Sequence, residues 1–342
     1  MASDRRKFIR NLASGVGSLA LAGGTLTRPA VAAGLTALER EPARVALIKG
    51  NDRRANMVKA LEILEPQIRR VLGDRQVVIK PNLTRVKKED WLASTMVESV
   101  AALCELFSML TSRPIIIAEG TGPGTPLQEA LENYGYLDLA KRFRVEFADL
   151  REDAYDSTYI LDREFRPLEI KVSRLLIRKD TFLVSAAVLK THGLAAVTLG
   201  LKNVAMAIPM NFGRGRNDRA KMHLDGDDPR PFNWNLFQVS RLRTPDLVTI
   251  DGFVGMEGNG PLNGGPVESK VAAAGLDWLA TDRVGAEVMG MDFGRIGHYR
   301  YLADAGMGEA DLSRIQVIGN TVGECRRRFV PPDSVDRILM NI

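Results

Sequence analysis

The sequence predicts an α/β fold, a largely parallel sheet with helices on both faces and long loops at the strand carboxyl ends. Three observations predict it. Short runs rich in Val, Ile and Leu alternate with helix-length segments from residue 44 onward, the pattern of βα units. One run, Phe182 to Leu189, is continuously apolar but for Ser185, as suits a strand covered on both faces. Several of these runs end in polar or glycine-rich stretches, where ligands bind in open parallel sheets.

In chain order, Arg44–Gly50 reads as the first strand. A helix follows over Arg54–Leu72, which Pro66 should kink or divide. Gln76–Lys80 is the second strand, Met96–Leu110 a helix and Pro114–Ala118 the third strand. A loop, Gly120–Thr125, leads into a helix opening at Pro126-Leu127. Val145–Ala148 is a strand, and Arg166–Ile177 alternates as a hairpin or β-ribbon would. Phe182–Leu189 comes next. Residues 210–230 then lose the apolar pattern, and so long a polar connection inside a domain suits a functional loop or lid. Phe232–Leu242 is a helix and Asp246–Ile250 a buried strand, followed by a long glycine-rich loop to Pro266. Val271–Leu276 is a short strand, Thr281–Met289 a helix capped by Thr281 or Asp282, and Ile315–Ile318 a late strand. No repeat or composition break marks a second domain, so residues 43–342 are read as a single α/β domain.

Residues 1–32 are set apart as a targeting segment. Asp4-Arg5-Arg6-Lys7-Phe8-Ile9-Arg10 resembles a twin-arginine export signal, and an uncharged stretch to Thr27 and an Ala30-Val31-Ala32 cleavage site follow. The expectation is a periplasmic or extracellular protein, exported by the twin-arginine translocation machinery and left without a stable membrane anchor after cleavage; an uncleaved N-terminal anchor is the alternative. This segment holds most of the formal charge of +5. The remainder is close to neutral, which argues against a nucleic-acid partner. Two cysteines, Cys104 and Cys325, are too few for an iron–sulfur cluster. Cys104 falls in an apolar helical pattern and is read as a buried thiol, whereas Cys325 is read in an exposed turn, its pairing open.

The chemistry concentrates where the runs end. The second leads into Lys80, Asn82 and Arg85, the third into Glu119, the apolar run into Lys190 and His192, and the 246–250 strand into Asp251. If these four strands are parallel neighbours, the groups converge on one cleft. Each has a plainer reading: Lys80 as a snorkelling lysine, Glu119 or Asp251 as a turn or cap residue. Lys202 and Asn203, just after Gly200, lie in an apolar stretch ending at Pro209. A cation there needs a partner, a cavity or a shifted pKa. His223 and Asp225 sit in the lid segment. A mixed metal site from His192, His223, Glu119, Asp251 and Asp225 is the metal expectation, since no zinc spacing is present. The glycine loops match neither a dinucleotide fingerprint nor a phosphate loop, and plain sharp turns explain them equally well. No Gly-x-Ser-x-Gly elbow occurs, and Ser185 is read as buried in mid-strand.

VVIKPNL at 77–83, KTHGLAAVTLGLKNVAMAIP at 190–209 and DGFVGMEGNGP at 251–261 together resemble the domain-of-unknown-function 362 family. The resemblance implies a single domain of that type over 43–342 and no settled activity; the ferredoxin-like cysteine clusters of many members have no counterpart here. His192-x9-Lys202, with Gly200 and Pro209, is similar to a segment of the nickel-dependent lactate racemases. That resemblance implies a proton-transfer role for His192 and a nickel-pincer-like nucleotide attached at Lys202, with Asn82–Arg85 as a cofactor turn and His223 as the metal-ligand candidate.

Together these readings predict an exported protein with an anion-binding cleft, acting as an enzyme of acid–base or redox chemistry on a small hydroxy- or carboxy-acid. His192, Lys202 and Lys190 are its catalytic candidates. Lys80, Asn82, Arg85, Asn203 and Gly200 hold a ligand or cofactor, and a metal ion or pincer-type nucleotide is the cofactor expectation. The alternative is a non-catalytic periplasmic binding protein for a small anionic ligand.

Overall fold

The apolar run becomes the middle of a ten-stranded sheet. The computed structural model describes residues 41–122, 125–212, 217–223 and 228–340; residues 1–32, read above as a targeting segment, Asp225 and part of the expected lid lie outside the described residues. The strands are β1 (Ala43–Lys49), β2 (Gln76–Pro81), β3 (Ile115–Glu119), β4 (Val145–Asp149), β5 (Tyr155–Leu161), β6 (Pro167–Ser173), β7 (Thr181–His192), β8 (Ala196–Thr198), β9 (Leu247–Asn259), β10 (Asn263–Val267), β11 (Val271–Gly275) and β12 (Ile315–Gly319). The helices that matter to the site are α1 (Arg53–Leu72), α2 (Val97–Leu110), α3 (Gly200–Ala205), α4 (Asp218–Met222), α5 (Arg230–Ser240), α6 (Trp278–Met289) and α7 (Gly297–Asp304).

The sheet order is β12-β1-β11-β9-β7-β2-β3-β4, with β8 on β7 and β10 on β9. Strands β9, β7, β2 and β3 are consecutive neighbours and all parallel, so the four chemistry-bearing strand ends do lie side by side. The sheet is mixed, because β11 runs antiparallel to both β1 and β9. On one face Phe182, Val184 and Ala186 pack with Met57, Leu61 and Leu64 of α1 and Val100, Leu103 and Phe107 of α2. On the other, Leu183 and Val78 meet Val204 of α3 and Phe232 and Leu236 of α5. This double cover is why β7 is apolar at successive positions.

Several expectations need correction. Pro66 does not divide α1; Met57, Ala60, Leu61, Leu64 and Ile68 keep one buried stripe across it, and tertiary packing outweighs the missing backbone donor. The alternating segment near 170 is a ribbon strand, but its partner is β5 upstream, and Arg174–Ile177 is helical. The glycine-rich stretch after Asp251 is a hairpin rather than a loop, since β9 continues to Asn259 and returns as β10. Its glycines permit close approach. A Cβ at Gly260 would stand 2.1 Å from the Thr191 carbonyl oxygen, and one at Gly255 2.7 Å from that of Leu189. Helix α6 begins earlier than expected, its cap being Asp277, which accepts from Leu279 and Ala280; Asp282 lies inside the helix. Cys325 is buried, not exposed, and packs in the apolar layer around α6. Cys104 is a buried free thiol as expected, and the two do not pair.

Candidate functional site

Where β2, β3 and β7 end, a cavity of about 100 Å³ opens, lined in part by Lys80, Asn82, Glu119, Lys190, His192, Lys202, Asn203 and His223. The structure therefore brings together eight of the residues singled out in the sequence. Arg85 is exposed and Gly200 does not line the cavity. Asp251 turns to the opposite side, where its Oδ2 accepts from Ser99 Oγ at 2.8 Å and stands 3.2 Å from Arg53 Nε. It ties β9 to α1 and α2.

The three lysines have different surroundings. Lys80 Nζ lies 3.0 Å from Glu119 Oε2 and donates to Asn203 Oδ1 at 2.6 Å. Lys190 Nζ donates to the Ala93 carbonyl at 2.7 Å and to Asn82 Oδ1 at 3.1 Å. Lys202 is 5% exposed, and its ammonium has no hydrogen bond or ion pair among the described residues. Burial lowers all three pKa values. Glu119 opposes the shift at Lys80; at Lys190 the neighbouring Lys80 adds to burial and the value falls to about 7. Lys202 is driven well below the ordinary lysine value by burial, with Lys190, Lys80 and Arg219 adding repulsion.

Asn203 is a clamp. Its Oδ1 accepts from Lys80 and from Asn82 Nδ2 at 2.9 Å, while its Nδ2 donates to the Lys80 carbonyl and Ser185 Oγ, both at 3.0 Å. Every polar atom of its amide is thus used within the protein, so Asn203 orders the site and does not reach a ligand. Ser185, buried in mid-strand as expected, donates onward to the Gly200 carbonyl.

His192 ends β7, and its Nδ1 accepts from the backbone N–H groups of Leu194 at 3.0 Å and Ala195 at 3.3 Å. Those groups only donate, so Nδ1 carries no proton and the neutral ring carries its proton on Nε2. Burial, with Lys202 and His223 beside it, holds the pKa well below the usual histidine value. The geometry narrows the role expected of His192: the ring is a hydrogen-bond donor through Nε2–H rather than a proton acceptor. The turn that supplies the two amides carries Ala196 at φ 62°, a strained conformation for a residue with a Cβ.

Several contributors went unnoticed in the sequence. Arg219 of α4 lines the cavity, donating Nη1 to the Gly120 carbonyl at 2.6 Å, while its buried Nε has no partner. Thr198, opposite Lys190 in the β7–β8 pairing, also lines it with an unpartnered Oγ1. Asn217 caps α4, accepting from the Ala220 amide, but nothing in the sequence marked which residue of this polar stretch turns inward. Asp282 lies behind the site. Its two oxygens accept from the Gly200 and Leu201 amides at 2.7 and 2.8 Å, and Tyr299 donates to it at 2.8 Å. It thereby anchors the first turn of α3, which carries Lys202. In the sequence Asp282 reads only as a cap candidate, and its place inside α6 shows its role.

Among the described residues the expected metal set does not assemble. Glu119 is occupied by Lys80 and the Leu83 and Gly120 amides, Asp251 is elsewhere, and no cluster of three metal-ligating side chains occurs among the described residues. The ring of His223 stacks on Phe232. The cavity is also well below the roughly 300–1,000 Å³ of sites for drug-sized ligands. The described residues do not fit a nickel-pincer nucleotide.

Fold and cavity define an α/β protein with a cation-rich pocket at parallel strand ends. The chain belongs to the family described as domain of unknown function 362, whose profile matches residues 77–287, from β2 to α6. It is 28% identical over 222 residues to the thylakoid-associated protein sll1697 of Synechocystis sp., a match covering 64% of each chain, so it spans under two thirds of that relative's length. A Thermotoga maritima crystal structure aligns with a TM-score of 0.35 at 13% identity, covering 61% of this chain and 52% of the other. No helix among the described residues is long and apolar enough to cross a membrane.

Proposed function

We propose that the protein is exported and binds a small organic acid in this cavity, carrying out acid–base chemistry on it. One observation carries the reading. Among the described residues, three lysines and an arginine face the cavity against a single carboxylate, Glu119, and three of its donor groups, Lys202 Nζ, Arg219 Nε and Thr198 Oγ1, have no acceptor. Buried donors without acceptors are costly, and an anion supplies both the acceptors and the missing charge. The volume suits an acid of a few heavy atoms. Within it Lys190 and Arg219 hold the carboxylate, His192 Nε2–H donates to an oxygen, and Lys202, whose amine has no hydrogen-bond acceptor among the described residues, is the proton acceptor. Export is supported by the paired arginines Arg5 and Arg6 and the uncharged stretch behind them.

The test is solvent exchange. The full chain, incubated in D2O with lactate, malate or pyruvate, is followed by NMR for loss of the C–H signal beside the carboxylate or carbonyl. Exchange that disappears in Lys202→Met supports the enzyme. Saturable binding of these acids without exchange, undiminished in His192→Ala, makes the protein a binding protein for the same ligands.

A further inference from the structure

The three lysines of the cavity are not equivalent, and the difference bears on what Lys202 does. Lys80 has a carboxylate and an amide oxygen, and Lys190 has a carbonyl and an amide oxygen. Lys202 has neither among the described residues, although it too is buried. It is held on a turn anchored from behind by Asp282, with Gly200 wedged against Val248. A primary amine enclosed among other cations and denied a counter-ion is most stable without its proton, and the unprotonated amine is a nucleophile. Burial and the charges of Lys190, Lys80 and Arg219 push in that direction. His192, sharing the cavity, presents an Nε2–H whose direction is set by the two backbone donors on Nδ1. That is the arrangement needed to polarise a carbonyl oxygen while an amine attacks its carbon.

We propose that Lys202 forms an imine with the carbonyl of a small 2-oxo acid, with Lys190 and Arg219 binding the acid's carboxylate. The proposal rests on the small-acid reading above, names its substrate class and, for a 2-oxo acid, makes Lys202 the nucleophile in place of the proton acceptor. In the first step the Nζ lone pair forms a bond to the carbonyl carbon, and the carbonyl oxygen, hydrogen-bonded to His192, takes up a proton released by the nitrogen. The carbinolamine hydroxyl then takes up a proton from solvent and leaves as water, and the nitrogen lone pair closes the C=N bond of a protonated imine. The C=N bond replaces the C=O bond and no oxidant or reductant enters. The acid's own carboxylate supplies the counter-charge for the iminium that the site lacked at Lys202, and the iminium acidifies the protons on the carbon beyond.

The experiment treats the full chain with pyruvate and sodium borohydride, which reduces an imine to a stable secondary amine, and reads intact mass and the modified peptide. Malonate, a dicarboxylate without a ketone, is titrated in parallel by calorimetry and used as a competitor. The expected result is one reduced pyruvate per chain, located at Lys202, lost in Lys202→Met and suppressed on the unaltered protein by excess malonate. If malonate binds but no adduct forms, or the adduct is scattered over surface lysines and survives Lys202→Met, the imine is overturned while the anion site stands. If neither malonate nor pyruvate binds, both fail. Competition on the unaltered protein decides the matter even where the variant does not fold.

Discussion

Lys80 and Glu119 stand 3.0 Å apart at the ends of adjacent parallel strands β2 and β3, both buried. Glu119 also accepts the Leu83 and Gly120 amides, so one carboxylate fixes a lysine and two turns. Breaking a buried pair from one side leaves an uncompensated charge. Glu119→Gln is therefore expected to cost roughly 3–5 kcal/mol, measured by denaturant unfolding. Combining it with Lys80→Met should cost clearly less than the sum of the single changes, because the orphaned ammonium is gone.

Gly200 opens α3 at a point with no room for a side chain. A Cβ there would lie 2.2 Å from Val248 Cγ1 and 3.0 Å from Asp282 Oδ1. Gly200→Ala is expected to destabilise by about 1–3 kcal/mol. Because Lys202 rides on the same turn, the variant should also bind malonate more weakly at temperatures where it remains folded, as calorimetry would show.

Asp282 links stability to pH. Burial pushes its carboxyl up to about 7 from 3.8 in spite of three donors. Between those values the unfolded chain releases the proton and the folded chain keeps it, so this group's contribution to stability falls as pH rises through the window. Asp282→Asn abolishes the titration and strands the Leu201 amide, at a cost of about 1–3 kcal/mol. The stability gap between wild type and variant should be wider at about pH 5 than at about pH 8, read from denaturant midpoints.

Lys190 sets the pH dependence of binding. Burial and Lys80 bring it down to about 7, and only its protonated form attracts an anion. Affinity for malonate should fall as pH rises through about 7, with proton uptake on binding near that pH. Calorimetry in buffers of different ionisation enthalpy measures the uptake, and Lys190→Met should abolish it.

The frame of the site was legible because a doubly covered strand is apolar at every position and polar residues at its end stand out. Lys80, Glu119, Lys190 and His192 were found that way. Asp251 followed the same rule and misled, because β9 continues past it and its side chain turns toward α1 and α2. Which side a strand-end residue faces depends on pairing beyond the apolar run, and the glycines of β9 hid that pairing. Arg219 and Thr198 come from segments with no periodic pattern to mark their inward positions. The tautomer of His192 depends on a turn that only coordinates reveal.

The central claim is that the cavity at the ends of β2, β3 and β7 is an anion site built on Lys190 and Arg219. Calorimetric titration of the full chain with malonate at about pH 6.5, below the Lys190 transition, tests it most directly. The account predicts one saturable site, lost in both Lys190→Met and Arg219→Met while each variant stays folded. No heat of binding to the unaltered protein, or binding unchanged in both variants, would contradict it.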